Sequence, residues 1–288
     1  TSEPVQSIDV AVGPLTFDAL VAGPDGGEGV LLLHGFPQTS RAWVDQLEVL
    51  GAAGYRAVAF DQRGYSPRAR PSGVDAYRTP ELIADVIGVA DALGMDRFHL
   101  VGHDWGGAVA WQVGGRHGDR VRTLTAVSTP HPAAMGMALA GQTGGDQAER
   151  SSYIALFREP DSQDRLLADD AQVLRLLYLA SGMPTGREAP YVEALGTPEA
   201  LGAALNWYRA ADLSLVEGLG PVRSPTMYVW STEDPALGRE AAEATASFVE
   251  GPYRFEVLEG VGHWIPEQQP DRLNALLLDH FGGSRSAG

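Results

Sequence analysis

The stretch LVGHDWGGAVA, Leu100 to Ala110, reads as a strand that turns sharply into a helix. Its apolar start suits a buried strand, and the small residues that follow suit a close-packed helix. Gly102, Gly106 and Gly107 fit a turn in which larger side chains would clash. The spacing is that of a Gly-x-nucleophile-x-Gly elbow, with Asp104 where a serine would be the usual nucleophile. The helix N-terminus behind it favours negative charge and keeps the carboxylate ionised. An ionised, positioned carboxylate is a competent nucleophile toward an alkyl carbon. In isolation an Asp before a helix is more readily a cap, so its role rests on the rest of the chain.

Outward from the elbow, short apolar runs alternate with helical patterns. VLLLHGF (30–36) and YRAVAFDQRGYS (55–66) read as strands ending in turn residues, with the helix of SRAWVDQLEVLGAAG (40–54) between them. In TPELIADVIGVADALG (79–94), Thr79 is placed to cap, Pro80 fits the first turn, and Leu82, Val86, Val89 and Leu93 form an apolar stripe ended by Gly94. RVRTLTAVSTP (120–130) supplies the next strand, and this rhythm predicts a doubly wound α/β sheet. After Pro130 the rhythm stops. The stretch 131–150 is Gly-rich and expected to be partly mobile, and DDAQVLRLLYLASG (169–182) and TPEALGAALNWYRAADL (197–213) read as helices. Strands resume with PTMYVWSTED (225–234) and YRFEVLEG (253–260), before a final helix PDRLNALLLDHF (270–281) and a tail GGSRSAG expected to be flexible. The division is therefore a core over 1–130 and 221–288, interrupted by a helical insertion over 131–220.

Composition narrows the function classes. The 288 residues allow one large core domain with an insertion. A formal charge of −16 opposes binding to nucleic-acid phosphates or anionic lipid. Cysteine is absent, which excludes disulfides and thiolate metal sites. TSEPVQSIDV has no apolar signal-like core and no apolar run is long enough to span a bilayer, so a soluble, unanchored protein is expected. A cytoplasmic location is the default, a homodimer is compatible with the sequence, and the Ala, Gly and Arg content fits a bacterial gene of high GC content.

Two further residues give Asp104 a chemical context. Asp234 follows the strand of MYVWSTED and His263 follows YRFEVLEG, each at a strand's C-terminal end. The chain order nucleophile, acid, histidine is that of an α/β-hydrolase triad. Asp234 is preferred to its neighbour Glu233 because the turn into Pro235 should present it. In HGFP (34–37), the backbone N–H of Phe36 is placed to join that of Trp105 in an oxyanion hole. His34 is assigned a structural role. His34, His103, His131 and His263 lack metal-ligand spacing, so neither a metal nor an organic cofactor is expected.

HGFPQ, DQRGYS, GHDWGG, NWYR and GHW together resemble the epoxide hydrolases of the α/β-hydrolase superfamily, over nearly the whole chain. The resemblance implies an α/β-hydrolase fold, a mostly parallel doubly wound sheet with a helical cap inserted before the penultimate strand. It also implies two cap tyrosines that hold the epoxide oxygen. NWYR supplies Tyr208 and YIALFREP supplies Tyr153, while Tyr178 and Tyr191 lie in the same insertion. The substrates implied are a small-molecule epoxide and water: Asp104 forms an ester, and His263 oriented by Asp234 activates water against it. Haloalkane dehalogenases share the aspartate elbow and the following tryptophan, here Trp105, but need a second side-chain donor that Phe36 cannot be. Fluoroacetate dehalogenases usually carry Arg after the nucleophile, which is absent here. A ligand-binding homologue without turnover is the third alternative.

Overall fold

The computed structural model describes residues 4–211 and 216–285. Its strands are β1 Gln6–Val12, β2 Leu15–Ala22, β3 Glu28–Leu33, β4 Tyr55–Phe60, β5 Phe98–His103, β6 Val121–Val127, β7 Thr226–Ser231 and β8 Tyr253–Leu258. They form one sheet in the order β1-β2-β4-β3-β5-β6-β7-β8. All pairings among β3 to β8 are parallel, whereas β2 runs antiparallel to both β1 and β4.

Continuous apolar runs make the central strands because both faces of the sheet are covered. Leu31, Leu32 and Leu33 of β3 are all fully buried, each worth about 1.5–3 kcal/mol relative to exposure. The covering helices are α1 Val44–Ala52, α2 Thr79–Ala92 and α3 Trp105–Arg116 early in the chain. Later in the chain, beyond the insertion, come α10 Arg239–Ala244, α11 Ile265–Gln268 and α12 Pro270–Arg285; α12 packs on α1 and β6, while α2 packs on α3 and α3 on β3, β5 and β6.

The β1–β2 hairpin is not among the strands expected from the sequence. As an edge strand, β1 buries Val10 and leaves most other positions exposed or half-buried, so its apolar signal is weak. The alternation Ile8, Val10, Val12 and the two-residue turn Gly13-Pro14, with Gly13 at φ 55, were the readable clues. Thr79 does not cap α2. It is the first helical residue, one position too late, and Arg78 stands at the cap without a side-chain bond.

Among the described residues, everything between β6 and β7 with regular structure longer than one turn is helical: α4 Pro132–Leu139, α5 Gln147–Arg150, α6 Tyr153–Phe157, α7 Ser162–Ala180, α8 Ala189–Ala194 and α9 Pro198–Ala210. The Gly-rich stretch 131–150 thus holds two helices, the first capped by His131, whose Nδ1 accepts from Ala133 N–H at 3.1 Å. The helix expected from Asp169 begins earlier, and Asp169, Asp170 and Ala171 break α7 with left-handed backbone. Residues 212 and 213 of the next expected helix lie outside the described residues. The final helix, α12, reaches Arg285, beyond the expected start of the flexible tail; residues 286–288 of that tail lie outside the description. Among the described residues no helix is long and apolar enough to cross a membrane.

β3 pairs with β4 on one side and β5 on the other, so the loops after β3 and β5 leave a crevice at the strands' C-terminal ends. Phe36 sits on the first loop and Asp104 on the second.

Candidate active site

The elbow is strained and tightly packed. Asp104 has φ 55 and ψ −124, a conformation that a residue with a Cβ rarely adopts and that persists where the surroundings impose it. A Cβ on Gly102 would lie 2.1 Å from the carbonyl oxygen of Gly106, and one on Gly106 would lie 2.1 Å from that of Leu33. Asp104 occupies the cap position of α3, yet its side chain makes no cap bond. Oδ1 instead accepts the Phe36 N–H at 2.8 Å, and Oδ2 lies 3.2 Å from Nε2 of His263. Trp105 is the first residue of α3, where a backbone N–H has no carbonyl within the helix to pair with.

Asp234 and His263 converge on the same point. His263 Nδ1 is 2.7 Å from Asp234 Oδ2, while Asp234 Oδ1 accepts the N–H groups of Ala236 at 2.8 Å and Leu237 at 3.2 Å. Asp234 is buried, whereas the neighbouring Glu233 is exposed. Arg150 of α5 donates to the Asp234 carbonyl at 2.7 Å, so the insertion braces the loop that carries the acid.

Electrostatics couple the three groups. Burial by itself would lower the His263 pKa, but the charge of Asp234 and the hydrogen bonds to Asp104 and Asp234 outweigh it and raise it to about 10. For Asp104, burial pushes upward, and the hydrogen bond and charge of His263 pull it below its ordinary value. The resting site is therefore an imidazolium held between two carboxylates.

The insertion places aromatic rings over this centre. Tyr208 on α9 lies 5.3 Å from Trp105 and 5.1 Å from Phe36, ring centre to ring centre. Tyr153 on α6 lies 6.3 Å from Tyr208, ring centre to ring centre. Burial raises the pKa of both phenols, and the charge of Asp104 adds to it, so both are held as neutral donors. Tyr178 and Tyr191 are committed elsewhere: the hydroxyl of Tyr178 donates to the Pro37 carbonyl, and that of Tyr191 to Glu267 at 2.8 Å. His34 ties its loop to the one after β4, its Nε2 accepting from Gln62 N–H at 3.0 Å.

Some neighbours of the site were not singled out from the sequence. Phe157 packs against Phe36, Tyr153 and Tyr208 at 5.0–5.3 Å. Gln38, His103 and Glu267 form a buried polar chain behind His263. Gln38 and His103 are adjacent to motif residues, but a pairing across 229 positions, from Gln38 to Glu267, leaves no local trace in sequence.

Residues 29–270 match the family model for the alpha/beta hydrolase fold. The chain is 35% identical to AB hydrolase superfamily protein YfhM of Bacillus subtilis, covering 93% of this chain and 94% of that protein. It is 32% identical to epoxide hydrolase A of Mycobacterium tuberculosis, covering 91% and 92%. Among solved structures, epoxide hydrolase A from Mycobacterium thermoresistibile superposes with a TM-score of 0.83 at 27% identity, over 97% of this chain and 98% of that one. One of the novel epoxide hydrolases from metagenomes of hot environments superposes with a TM-score of 0.84 at 29% identity, over 96% and 99%. With its eight-stranded sheet, its elbow and its inserted helices, the chain belongs to the α/β-hydrolase family, in which its relatives include epoxide hydrolases.

Proposed function

We propose that the protein is an epoxide hydrolase that converts an epoxide to a vicinal diol through a covalent ester on Asp104. The observation that carries this reading is the Asp104 carboxylate, with Oδ1 on the Phe36 N–H at 2.8 Å and Oδ2 at 3.2 Å from His263, beneath the Tyr153–Tyr208 pair. Oδ2 attacks a ring carbon as the carbon–oxygen bond breaks, and the departing alkoxide takes a proton from a tyrosine hydroxyl. Tyrosine suits that role because the alkoxide is a far stronger base than a phenolate. Tyr153 and Tyr208 are the donors favoured here, since the hydroxyls of Tyr178 and Tyr191 already serve Pro37 and Glu267. The inserted helices over 131–220 then act as the cap that closes the site.

Ester formation also prepares the second step. Alkylation cancels the charge of Asp104, which removes one of the two partners holding the proton on His263, and that proton leaves to solvent. The neutral imidazole, oriented by Asp234, then takes a proton from water as the water oxygen attacks the ester carbonyl carbon. The oxyanion forms at Oδ1 against the N–H groups of Phe36 and Trp105. Collapse expels the diol oxygen, which takes the proton from His263; the proton left on the re-formed Asp104 carboxyl returns to His263, and the tyrosine recovers its own from solvent. The side chain of Phe36 offers no donor to act beside the Trp105 indole, which weighs against the dehalogenase alternative.

Trapping tests the reading. His263→Gln mixed with a panel of epoxides should accumulate an adduct on Asp104 visible by intact mass. Wild-type single turnover in ¹⁸O-water should place the label in the Asp104 carboxylate. No adduct and no diol across the panel would sink it, and halide release from alkyl halides would favour dehalogenation instead.

A further inference from the structure

Behind His263 lies a buried chain whose proton positions are set by which atoms can donate. His103 Nε2 is 2.8 Å from the main-chain carbonyl of His263, and a carbonyl only accepts, so Nε2 carries a proton. Burial lowers the His103 pKa to about 4, which leaves the ring neutral and Nδ1 an acceptor. The side-chain amide of Gln38 faces Nδ1 at 3.3 Å on one side and Glu267 Oε1 at 2.5 Å on the other. With the amide oxygen toward His103, two acceptors would meet. The amide must therefore turn its NH₂ toward Nδ1 and its oxygen toward Glu267, and the two facing oxygens then need a proton between them. The 2.5 Å separation is too short for N–H···O and falls at the lower limit of the O–H···O range.

We infer that Glu267 is a positioning residue for His263: as a neutral carboxylic acid it donates to Gln38, which donates to His103, which holds the His263 carbonyl. The inference rests on His263 acting as the base proposed above. Oε2 of Glu267 is buried without a hydrogen-bond partner, which is costly for a carboxylate and much less so for an acid. Burial pushes Glu267 up to about 7 against the pull of its hydrogen bond to Tyr191 and the charge of Arg187. The groups that face it are Tyr191 on α8, Arg187 ahead of that helix with its partner Asp45 on α1 at 2.8 Å, Tyr178 on α7, and His103 through Gln38. Arg41 before α1 and Asp271 at the start of α12 are exposed.

The chain has a geometric purpose. Gln38 belongs to the loop that carries Phe36, and the His263 N–H is held separately by the Ser181 carbonyl at 3.1 Å. The His263 peptide is thus gripped from both sides, with one grip tied to the oxyanion loop. When Glu267 ionises it can only accept, so Gln38 turns over and presents its oxygen to His103 Nδ1. His103 then either takes up an unfavourable second proton or loses that hydrogen bond, and the His263 backbone loosens.

Two measurements test this. Infrared difference titration should show the carbonyl stretch of a buried protonated carboxylic acid at pH 6 that fades as pH rises and is missing in Glu267→Gln. This readout is independent of turnover, so it stands even if the epoxide reading fails. In single turnover, hydrolysis of the Asp104 ester should slow by about 10-fold as pH rises through the Glu267 transition, while ester formation does not follow that transition. Glu267→Gln, which can still donate to Gln38, should flatten this limb, and Glu267→Leu should slow hydrolysis at every pH without restoring it. A wild-type spectrum at pH 6 with no acid carbonyl band beyond that of Glu267→Gln, or an unchanged limb in Glu267→Gln, overturns the proposal.

Discussion

The indole N–H of Trp207 donates to the main-chain carbonyl of Arg63 at 2.8 Å, joining helix α9 of the insertion to the loop after β4. The next residue is Tyr208, so one hydrogen bond between insertion and core sets where that hydroxyl hangs over Asp104. Trp207→Phe keeps most of the packing and leaves the Arg63 carbonyl without its donor. The expected cost is about 1–3 kcal/mol of stability, seen as a lower urea midpoint. Ester formation should slow while hydrolysis of the ester is nearly unchanged. Equal slowing of both steps would mean that Trp207 serves general packing.

Removing the tyrosine donors should act on the first chemical step. Tyr153→Phe with Tyr208→Phe preserves the aromatic cluster and deletes both hydroxyls. Ester formation on Asp104 should fall by about 10²- to 10⁴-fold, the range of general acid catalysis, measured by quenched-flow mass spectrometry. Wild-type rates in the double variant would move the donor role to another group.

The loop after β4 is also joined to α2 by a buried ion pair, Arg63 with Asp85. Arg63 forms two bonds to Asp85, Nε to Oδ2 and NH2 to Oδ1, both at 2.8 Å. Burial nevertheless raises Asp85 more than Arg63 lowers it, while Asp85 outweighs burial at Arg63 and raises it. The pair is well made but expensively desolvated. Arg63→Met should cost about 3–5 kcal/mol because it strands a buried carboxylate, whereas Arg63→Met with Asp85→Leu should recover much of that loss. Urea denaturation of the three proteins decides it; a double variant no better than the single contradicts the desolvation argument.

Stability should also fall on the alkaline side. His263 is raised from 6.5 unfolded to about 10 folded, so its contribution is fully present below pH 6.5 and is lost as pH climbs through 10. Asp104 is lowered from 3.8, so its contribution is present above that value and lost on acidification through its folded pKa. The Tm difference between wild type and His263→Gln should shrink steadily from pH 6.5 to 10. A difference that stays constant over this window would show that the imidazolium is not held by the two carboxylates.

Much of the site was legible because its signals are local. The elbow needs small residues beside Asp104, and the clash distances at Gly102 and Gly106 explain why the motif is written in glycine. Asp234 and His263 could be read because each follows an apolar strand fully or partly buried in the sheet. Thr79 shows the limit of such reading, since a one-residue shift of the helix start removed its capping role. Edge strand β1 escaped notice because one exposed side dilutes the apolar pattern that marks a strand.

What the sequence determined by itself was the α/β rhythm, the elbow with its carboxylate and the order of the three polar residues, because backbone sterics and hydrophobic periodicity act over a few neighbouring positions. What only the tertiary structure decided was which partners those residues meet. The rings of Tyr153 and Tyr208 come together over the site while the hydroxyls of Tyr178 and Tyr191 turn to Pro37 and Glu267, and Gln38 finds Glu267 at the far end of the chain. Hydrogen bonds between distant segments depend on how the sheet and the inserted helices pack, and packing brings together residues whose spacing in the chain carries no common period.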